Sequence, residues 1–178
     1  MANAVITGGT NGIGRSLAER LAREGHRVAV VGRSAAAPDG VELVRGDLST
    51  IAGTAAVAEE VASRFDVVDH LVLGAGRFTR RREVTADGLE HSFALYAVSR
   101  FALVERLLPV LERSVAPVVV SLCGVAGLKG PGIRWDDLAL SRGFRPLRAV
   151  SQGARAADLL GAGFADRHPG SAVRYVLH

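Results

Sequence analysis

The sequence predicts an α/β fold in which helices cover both faces of a parallel sheet, the doubly wound arrangement. Apolar, strand-like segments alternate with helical segments along the chain, which is the pattern of parallel strands joined by crossover helices. The first strand runs into a glycine-rich turn, VITGGTNGIG at 5–14, and a helix follows it at once. The 178 residues, 48% hydrophobic and 22% charged, have the size and composition of one packed domain. We therefore expect a single domain over residues 1–178.

The elements follow one another in a regular order. In the first helix, Ile13, Leu17 and Leu21 recur at helical spacing and Gly25 is a typical stop signal. An irregular segment from about Gly124 to Pro146 precedes the last helix. The predicted strands are ANAVIT, HRVAVVG, VELVRG, VDHLVLGAG, APVVVSL and SAVRYVLH. The predicted helices are IGRSLAERLAREG, TAAVAEEVASRF, DGLEHSFALYAVSRFALVERLLPVLERS and RAVSQGARAADLLGAGFADRH.

Composition excludes several classes of protein. Cys123 is the single cysteine, so neither a disulfide framework nor a multi-cysteine metal site is expected, and a reducing, intracellular compartment fits. The five histidines have no metal-ligand spacing, which predicts no metal. The sequence has no secretory leader pattern and no apolar run long enough to span a bilayer. We expect a cytoplasmic protein with no membrane association.

Arginine supplies almost all of the positive charge, since Lys129 is the only lysine and the net charge is +4. The arginines are scattered except in RFTRRRE at 77–83. The scattered arginines and the single aromatic residue of the cluster, Phe78, do not make a base-stacking surface, so nucleic-acid binding is not expected. The cluster itself has two interpretations, a solvated loop or a funnel that attracts an anionic ligand.

The glycine turn at the end of the first strand is typical of a dinucleotide pyrophosphate site. Glycines between a strand and a helix let backbone N–H groups approach a phosphate, and the helix dipole favours negative charge there. The spacing of Gly8, Gly12 and Gly14 is Gly-x-x-x-Gly-x-Gly, which differs from the commoner Gly-x-Gly-x-x-Gly. A tight turn without a ligand is the alternative.

The spacing TGxxxGIG, filled by Thr7 to Gly14, resembles the short-chain dehydrogenase/reductase family. GDLS at 46–49 is similar to the family's Asp-Leu pair beside the adenine ring, and LGAG at 73–76 is similar to its Asn-Asn-Ala-Gly segment. The segments TADGLEHSFALYAVSRFALVERLLPVL and IRWDDLALSRGFRPLRAVSQGAR are similar to the retinol-dehydrogenase-like branch. The resemblance spans essentially the whole chain and implies a Rossmann fold with strand order 3-2-1-4-5-6.

The end of the second strand indicates which cofactor is bound. NAD enzymes commonly place an acidic residue there, whereas an arginine accommodates the 2′-phosphate of NADP. The strand ends VVGRS, so Gly32 offers no carboxylate and Arg33 offers a planar cation suited to phosphate. NADP(H) is therefore the expected cofactor, and Arg15 is either an assisting residue or a solvated one. The expected cofactor-binding residues are Gly8, Thr10, Asn11, Gly12, Ile13, Gly14, Arg33, Ser34, Asp47, Leu48, Gly74, Ala75 and Gly76.

Asp47 has two interpretations. By resemblance its carboxylate bonds the adenine edge; as a lone residue it could equally cap the N-terminus of the next helix.

The catalytic residues depart from what the resemblance implies. In the family a tyrosine exchanges a proton with the substrate, a lysine four residues later lowers the tyrosine's pKa, a serine polarises the carbonyl and an asparagine holds a water. The only tyrosines here are Tyr96 and Tyr175, and neither is followed four residues later by lysine. SQGAR at 151–155 stands where the tyrosine and lysine belong. The candidate catalytic residues are Ser121, Tyr96, Ser151 and Arg155.

Each of those positions leaves an alternative open. Tyr96 stands in the asparagine's place, and an alternative register puts Val150 in the tyrosine's. Ser121 is the only hydroxyl in its region, and it could instead serve the strand's own hydrogen bonding. Cys123 is not expected to be a nucleophile, because no neighbour in sequence would lower its pKa.

Three hypotheses for function follow. The first is an atypical NADPH-dependent reductase of an activated small-molecule acceptor, such as a quinone or conjugated carbonyl, in specialised metabolism. The second is a non-redox protein on the same scaffold: a cyclase-like or dehydratase-like enzyme, a silent NADP sensor or a partner subunit. The third is an interaction module in which the glycine turn is a relic. A homo-oligomer, dimer or tetramer, is expected through the helices around 86–113 and 146–167.

The last strand stops at His178, where relatives continue. A C-terminal truncation, an omitted tail and a short natural protein are all compatible with the sequence.

Overall fold

The computed structural model describes residues 1–33, 36–122 and 132–178. Six parallel strands form one sheet in the order β3-β2-β1-β4-β5-β6. The predicted fold class and strand order are confirmed. The strands are β1 (Asn3–Thr7), β2 (Arg27–Gly32), β3 (Glu42–Arg45), β4 (His70–Leu73), β5 (Val118–Ser121) and β6 (Arg174–Leu177).

The helices pack on both faces of this sheet. α1 (Gly12–Arg23) covers one face with Ala18, Leu17 and Leu21 against β1 and β2. The other face carries the larger apolar cluster, to which three helices contribute. The helices are α1, α2 (Ile51–Arg64), α3 (His91–Phe93), a π-helical turn (Ala94–Val98), α4 (Ser99–Leu111) and α5 (Pro146–Arg167).

Capping residues explain where the helices begin. The predicted long helix from Asp87 was wrong at its start, because Gly88 has φ +77° and the helix begins only at His91. The Glu90 carboxylate there accepts hydrogen bonds from the Ser92 and Phe93 N–H groups at 3.0 Å each. The same helix changes to a π-helical turn at Ala94–Val98 before it continues as α4.

α2 and α5 each begin earlier than predicted. Thr50 caps α2 by accepting a hydrogen bond from the Gly53 N–H at 3.0 Å, so that helix starts at Ile51. Proline suits the first helical position because it has no N–H to leave unpaired, and α5 accordingly starts at Pro146. In the part of the chain that the structure describes, no helix is long and apolar enough to cross a membrane.

Candidate functional site

A cleft of about 670 Å³ opens at the carboxyl ends of β1 and β4. The strand order reverses between these neighbours, since β2 and β3 lie on one side of β1 and β4 to β6 lie on the other. Such a switch point is where doubly wound sheets bind ligands. Every described residue of the sequence-predicted cofactor set lines this cleft, while Ser34 lies outside the described residues, as do Cys123 and Gly124.

The glycine turn is packed against the strand next to it. A Cβ atom on Gly8, which has φ +72°, would lie 2.8 Å from the Gly74 carbonyl oxygen. A Cβ on Gly14 would lie 2.6 Å from the Gly8 carbonyl oxygen. Gly12, at φ +55°, has open space where its Cβ would be. Gly8 and Gly14 therefore allow a close approach of protein backbone, which a side chain would prevent. Gly12 instead borders open space in the cleft.

Thr7 fixes the spacing of the two strands at the floor of the cleft. Its hydroxyl accepts hydrogen bonds from the Gly74 N–H at 3.0 Å and from the Ala75 N–H at 3.1 Å, and donates to the Val72 carbonyl at 3.3 Å. The side chain is 2% exposed. One buried hydroxyl thus holds the end of β4 against the end of β1 and keeps Gly74 and Ala75 at the wall of the cleft.

Arg33, Asp47 and His91 line the cleft together. Burial alone would raise the pKa of Asp47, but the Ser49 N–H, which donates to its carboxylate at 2.9 Å, and the nearby Arg33 hold that pKa below its usual value. Asp47 is not the cap of α2, because Thr50 has that role. Burial, together with the charge of Arg77, lowers the pKa of His91. We expect the imidazole of His91 to be neutral at pH 7.

Tyr96 and Arg100 form the wall of the cleft on the side of α4. Arg100 is 2% exposed, and its guanidinium carbon lies 4.9 Å from the centre of the Tyr96 ring. It donates to the Ser121 hydroxyl at 2.7 Å and to the Leu122 carbonyl at 2.9 Å. Ser121 is fully buried and is not among the residues that line the cleft.

The other two candidate catalytic residues lie elsewhere. Ser151 and Arg155 are on α5, one helical turn apart, and neither lines the cleft. Of the four candidates, the structure brings Tyr96 and Ser121 together through Arg100 and leaves the α5 pair outside the lining. Arg15, the possible assistant, makes an exposed ion pair with Glu19 at 2.7 Å and does not line the cleft.

Sequence reasoning missed several residues of this site. Arg77 lines the cleft and is paired with Glu83, so the arginine cluster at 77–83 contributes one member to the wall. Arg100 had a signal in the sequence, a lone arginine in the apolar run FALYAVSRFALV. Tyr96 was predicted as a catalytic candidate. The lining residues that the sequence did not predict are Val31, Gly32, Gly46, Arg77, His91, Leu95, Arg100, Leu122 and His178. Among the described residues, no group of three or more His, Cys, Asp or Glu side chains is placed to hold a metal ion.

The family model described as short chain dehydrogenase matches residues 2–134. The chain belongs to this family. Mouse retinol dehydrogenase 12 is 35% identical over 147 residues, which are 75% of this chain and 46% of that protein. This member of the short chain dehydrogenase family also resembles solved structures. An uncharacterized protein from Mycobacterium paratuberculosis is 29% identical with a TM-score of 0.85, over 99% of this chain and 67% of that one.

The complex of Pseudomonas aeruginosa RhlG with NADP shares the fold, with a TM-score of 0.77 at 24% identity, over 99% of this chain and 70% of that one. The first curated relatives are spanned over 34 to 56% of their own length. The family is thus established for this chain. Its substrate and its reaction are matters for proposal, because the chain matches only part of the length of these relatives.

Proposed function

We propose that the chain binds NADP(H) in the cleft and is an atypical NADPH-dependent reductase of the short chain dehydrogenase family. The acceptor is an activated small molecule such as a quinone or a conjugated carbonyl. The observation that carries the proposal is the glycine turn with open space at Gly12 on the same cleft as Arg33.

The residues of the cleft fit this cofactor. Backbone N–H groups of the turn and the N-terminus of α1 suit the pyrophosphate, because Gly12 leaves open space there and the helix dipole favours negative charge. Arg33 is exposed at the end of β2 and suits a 2′-phosphate. NADPH supplies the hydride when it is bound. Tyr96, at the opposite wall, is the ionisable hydroxyl that lines the cleft among the described residues.

An activated acceptor is favoured because SQGAR at 151–155, or Val150 in the alternative register, stands where the resemblance implies the tyrosine and lysine. Simple ketones need strong protonation help at the oxygen as hydride arrives. Quinones and conjugated carbonyls accept hydride more readily, so weaker charge stabilisation from the wall of the cleft suffices. A silent NADP-binding protein is the second candidate, and the position of the α5 pair outside the cleft lining favours it.

Calorimetric titration with NADPH and NADH tests cofactor choice. Arg33→Ala should weaken NADPH binding about tenfold or more, the value of charge-assisted hydrogen bonds to phosphate, and should leave NADH binding nearly unchanged. Arg106→Ala is the matched control, since Arg106 is exposed on α4 and does not line the cleft. Absence of binding by either nucleotide would overturn the proposal.

Turnover then separates the two candidates. NADPH oxidation with quinones but not with simple ketones supports the reductase. NADPH binding without oxidation across a panel of quinones and conjugated carbonyls supports the silent binding protein. A homo-oligomer, cytoplasmic location and the single domain over 1–178 stay predictions, which sedimentation, fractionation and limited proteolysis would test.

A further inference from the structure

We propose that Tyr96 and Arg100 are the proton-donating pair of this site, with Tyr96 as the acid and Arg100 as the residue that stabilises its ionised form. The proposal rests on the reductase function above. It assigns the proton donation to the helical segment that packs against α5 rather than to α5 itself. Tyr96 and Arg100 are four residues apart, on the π-helical turn and the start of α4.

Tyr96 is held firmly at the wall of the cleft. A Cβ on Gly153 of α5 would lie 2.9 Å from the Tyr96 Cβ, so the base of the side chain packs directly on that glycine. At the other end, a Cβ on Gly76 would lie 2.6 Å from the Tyr96 hydroxyl oxygen. The phenol therefore extends from α5 to the loop after β4, and its hydroxyl lies beside Gly76, which also lines the cleft.

Arg100 is placed by contacts that leave its charge beside the ring. Its guanidinium donates to the Ser121 hydroxyl and the Leu122 carbonyl at the end of β5, and its carbon lies 4.9 Å from the centre of the Tyr96 ring. Both of these acceptors are uncharged groups. A positive charge in a buried position favours the ionised form of a neighbouring acid.

The local backbone accounts for how the two side chains meet. A π-helical turn has more than four residues per turn and changes the direction of the side chains that follow it. Ala94–Val98 is such a turn and contains Tyr96, whereas Arg100 is the second residue of the regular helix. Such turns occur frequently at functional sites. The π-helical turn, which the sequence did not predict, therefore contains the proposed acid, Tyr96.

Other ionisable groups lie around this wall, and among them Glu83 is paired with Arg77 while Glu90 lies close to His91. Arg77 lies on the loop next to Gly76, His91 precedes the π-helical turn and His178 follows β6. On α5, Arg155 is the ionisable residue nearest in sequence to Gly153. Asp47 is the carboxylate among the described residues of the lining, and its hydrogen bond to Ser49 and its proximity to Arg33 associate it with the β2 side of the cleft.

The proposed step balances as a carbonyl reduction. With NADPH bound as the hydride source, a new C–H bond would form at the acceptor carbon and the electron pair of the C=O double bond would move to oxygen. The Tyr96 O–H bond breaks, and its proton forms the O–H bond of the product. The phenolate that remains next to Arg100 takes a proton from water, so the net reaction consumes one NADPH and one proton for each acceptor reduced.

The sequence offers an optical test that needs no cofactor. The chain has only two tyrosines, so in a Tyr175→Phe background the tyrosinate absorbance reports Tyr96 alone. Arg100→Gln should move the midpoint of that ionisation to higher pH by about one unit, the usual effect of losing a nearby cation. Arg100→Lys should keep the midpoint of the Tyr96 ionisation close to that of the parent protein, because the positive charge remains. An unchanged midpoint in a folded Arg100→Gln protein would overturn the proposal, because it would mean that the charge of Arg100 does not affect the ionisation of Tyr96 and that its role is only structural.

Kinetics give the second test and remain informative if Arg100→Gln does not fold. Tyr96→Phe should lower kcat with a quinone at least tenfold and leave NADPH affinity within about twofold, since general acid catalysis contributes about 10²- to 10⁴-fold. Full activity in Tyr96→Phe would overturn the pair while leaving the reductase proposal standing. Absence of turnover in the parent protein would count against the reductase, and the tyrosinate titration would then decide whether the pair itself is coupled.

Discussion

Individual glycines of the first turn have different roles, which the sequence alone does not distinguish. Gly8 and Gly14 give way to backbone of the protein itself, as the close approaches of their missing Cβ atoms indicate. Gly12 faces open space in the cleft. The sequence predicted all three as cofactor contacts, but only the packing shows that Gly8 and Gly14 are pressed against backbone whereas Gly12 borders open space.

Gly12→Ala should weaken NADPH binding by at least tenfold because a methyl group would occupy the open space at the turn. The φ of +55° should also cost about 1 kcal/mol of stability for any residue with a Cβ. Gly25→Ala is the matched control, since Gly25 has φ +84° and open space but lies at the end of α1, away from the cleft lining. Calorimetry and thermal melts should show a similar loss of Tm in both variants and weaker binding in Gly12→Ala alone.

Some helices and loops of this fold come into close contact at a glycine, where there is no side chain to keep them apart. Gly153 of α5 is one of them, because the base of Tyr96 fills the space that its Cβ would need. The sequence placed both residues correctly on helices, yet gave no sign that they are neighbours. Helical spacing reports which residues of one helix share a face, and it carries no information about the partner helix.

Gly153→Ala should destabilise the protein by about 1–3 kcal/mol, the usual cost of overpacking, and should also displace Tyr96. Gly163→Ala on the same helix is the control. Its Cβ would meet only the end of the Arg167 side chain, at 3.0 Å, so the helical preference for alanine should stabilise by up to about 1 kcal/mol. Denaturant unfolding measures both, and equal effects would show that the contact with Tyr96 is easily relaxed.

Carboxylates held by hydrogen bonds should set the acid stability of the whole molecule. The Ser141 hydroxyl and N–H and the Arg142 N–H donate to the Asp137 carboxylate at 2.7, 2.8 and 3.0 Å, and these bonds lower its pKa to about 2. Hydrogen bonds from Ser114 and Asn3 also hold the pKa of Asp69 below its usual value, against the opposing effect of burial. A lowered carboxyl pKa stabilises the fold above the ordinary value near 3.8 and loses that effect as pH falls toward the folded value.

Asp137→Asn should therefore lower the Tm at pH 7, and the difference from the parent protein should shrink between about pH 4 and pH 2. Asp136→Asn is the control, because the side chain of Asp136 is 70% exposed whereas that of Asp137 is 4% exposed. Melts recorded across this pH range check the prediction. A Tm difference that stays constant down to pH 2 would mean that Asp137 does not titrate with the fold.

The sequence by itself determined the order of strands and helices along the chain, the family and the position of the glycine-rich turn, because these depend on local spacing that neighbours along the chain share. It also located Arg33 and Asp47 at the ends of the second and third strands. Only the tertiary structure decided that Arg100 lies against Tyr96 and bonds Ser121, since β5 and α4 come together through sheet order and helix packing. The position of α5 likewise decided that Ser151 and Arg155 lie outside the cleft lining. Contacts between distant segments depend on the packing of the whole chain, and no local pattern in the sequence specifies them.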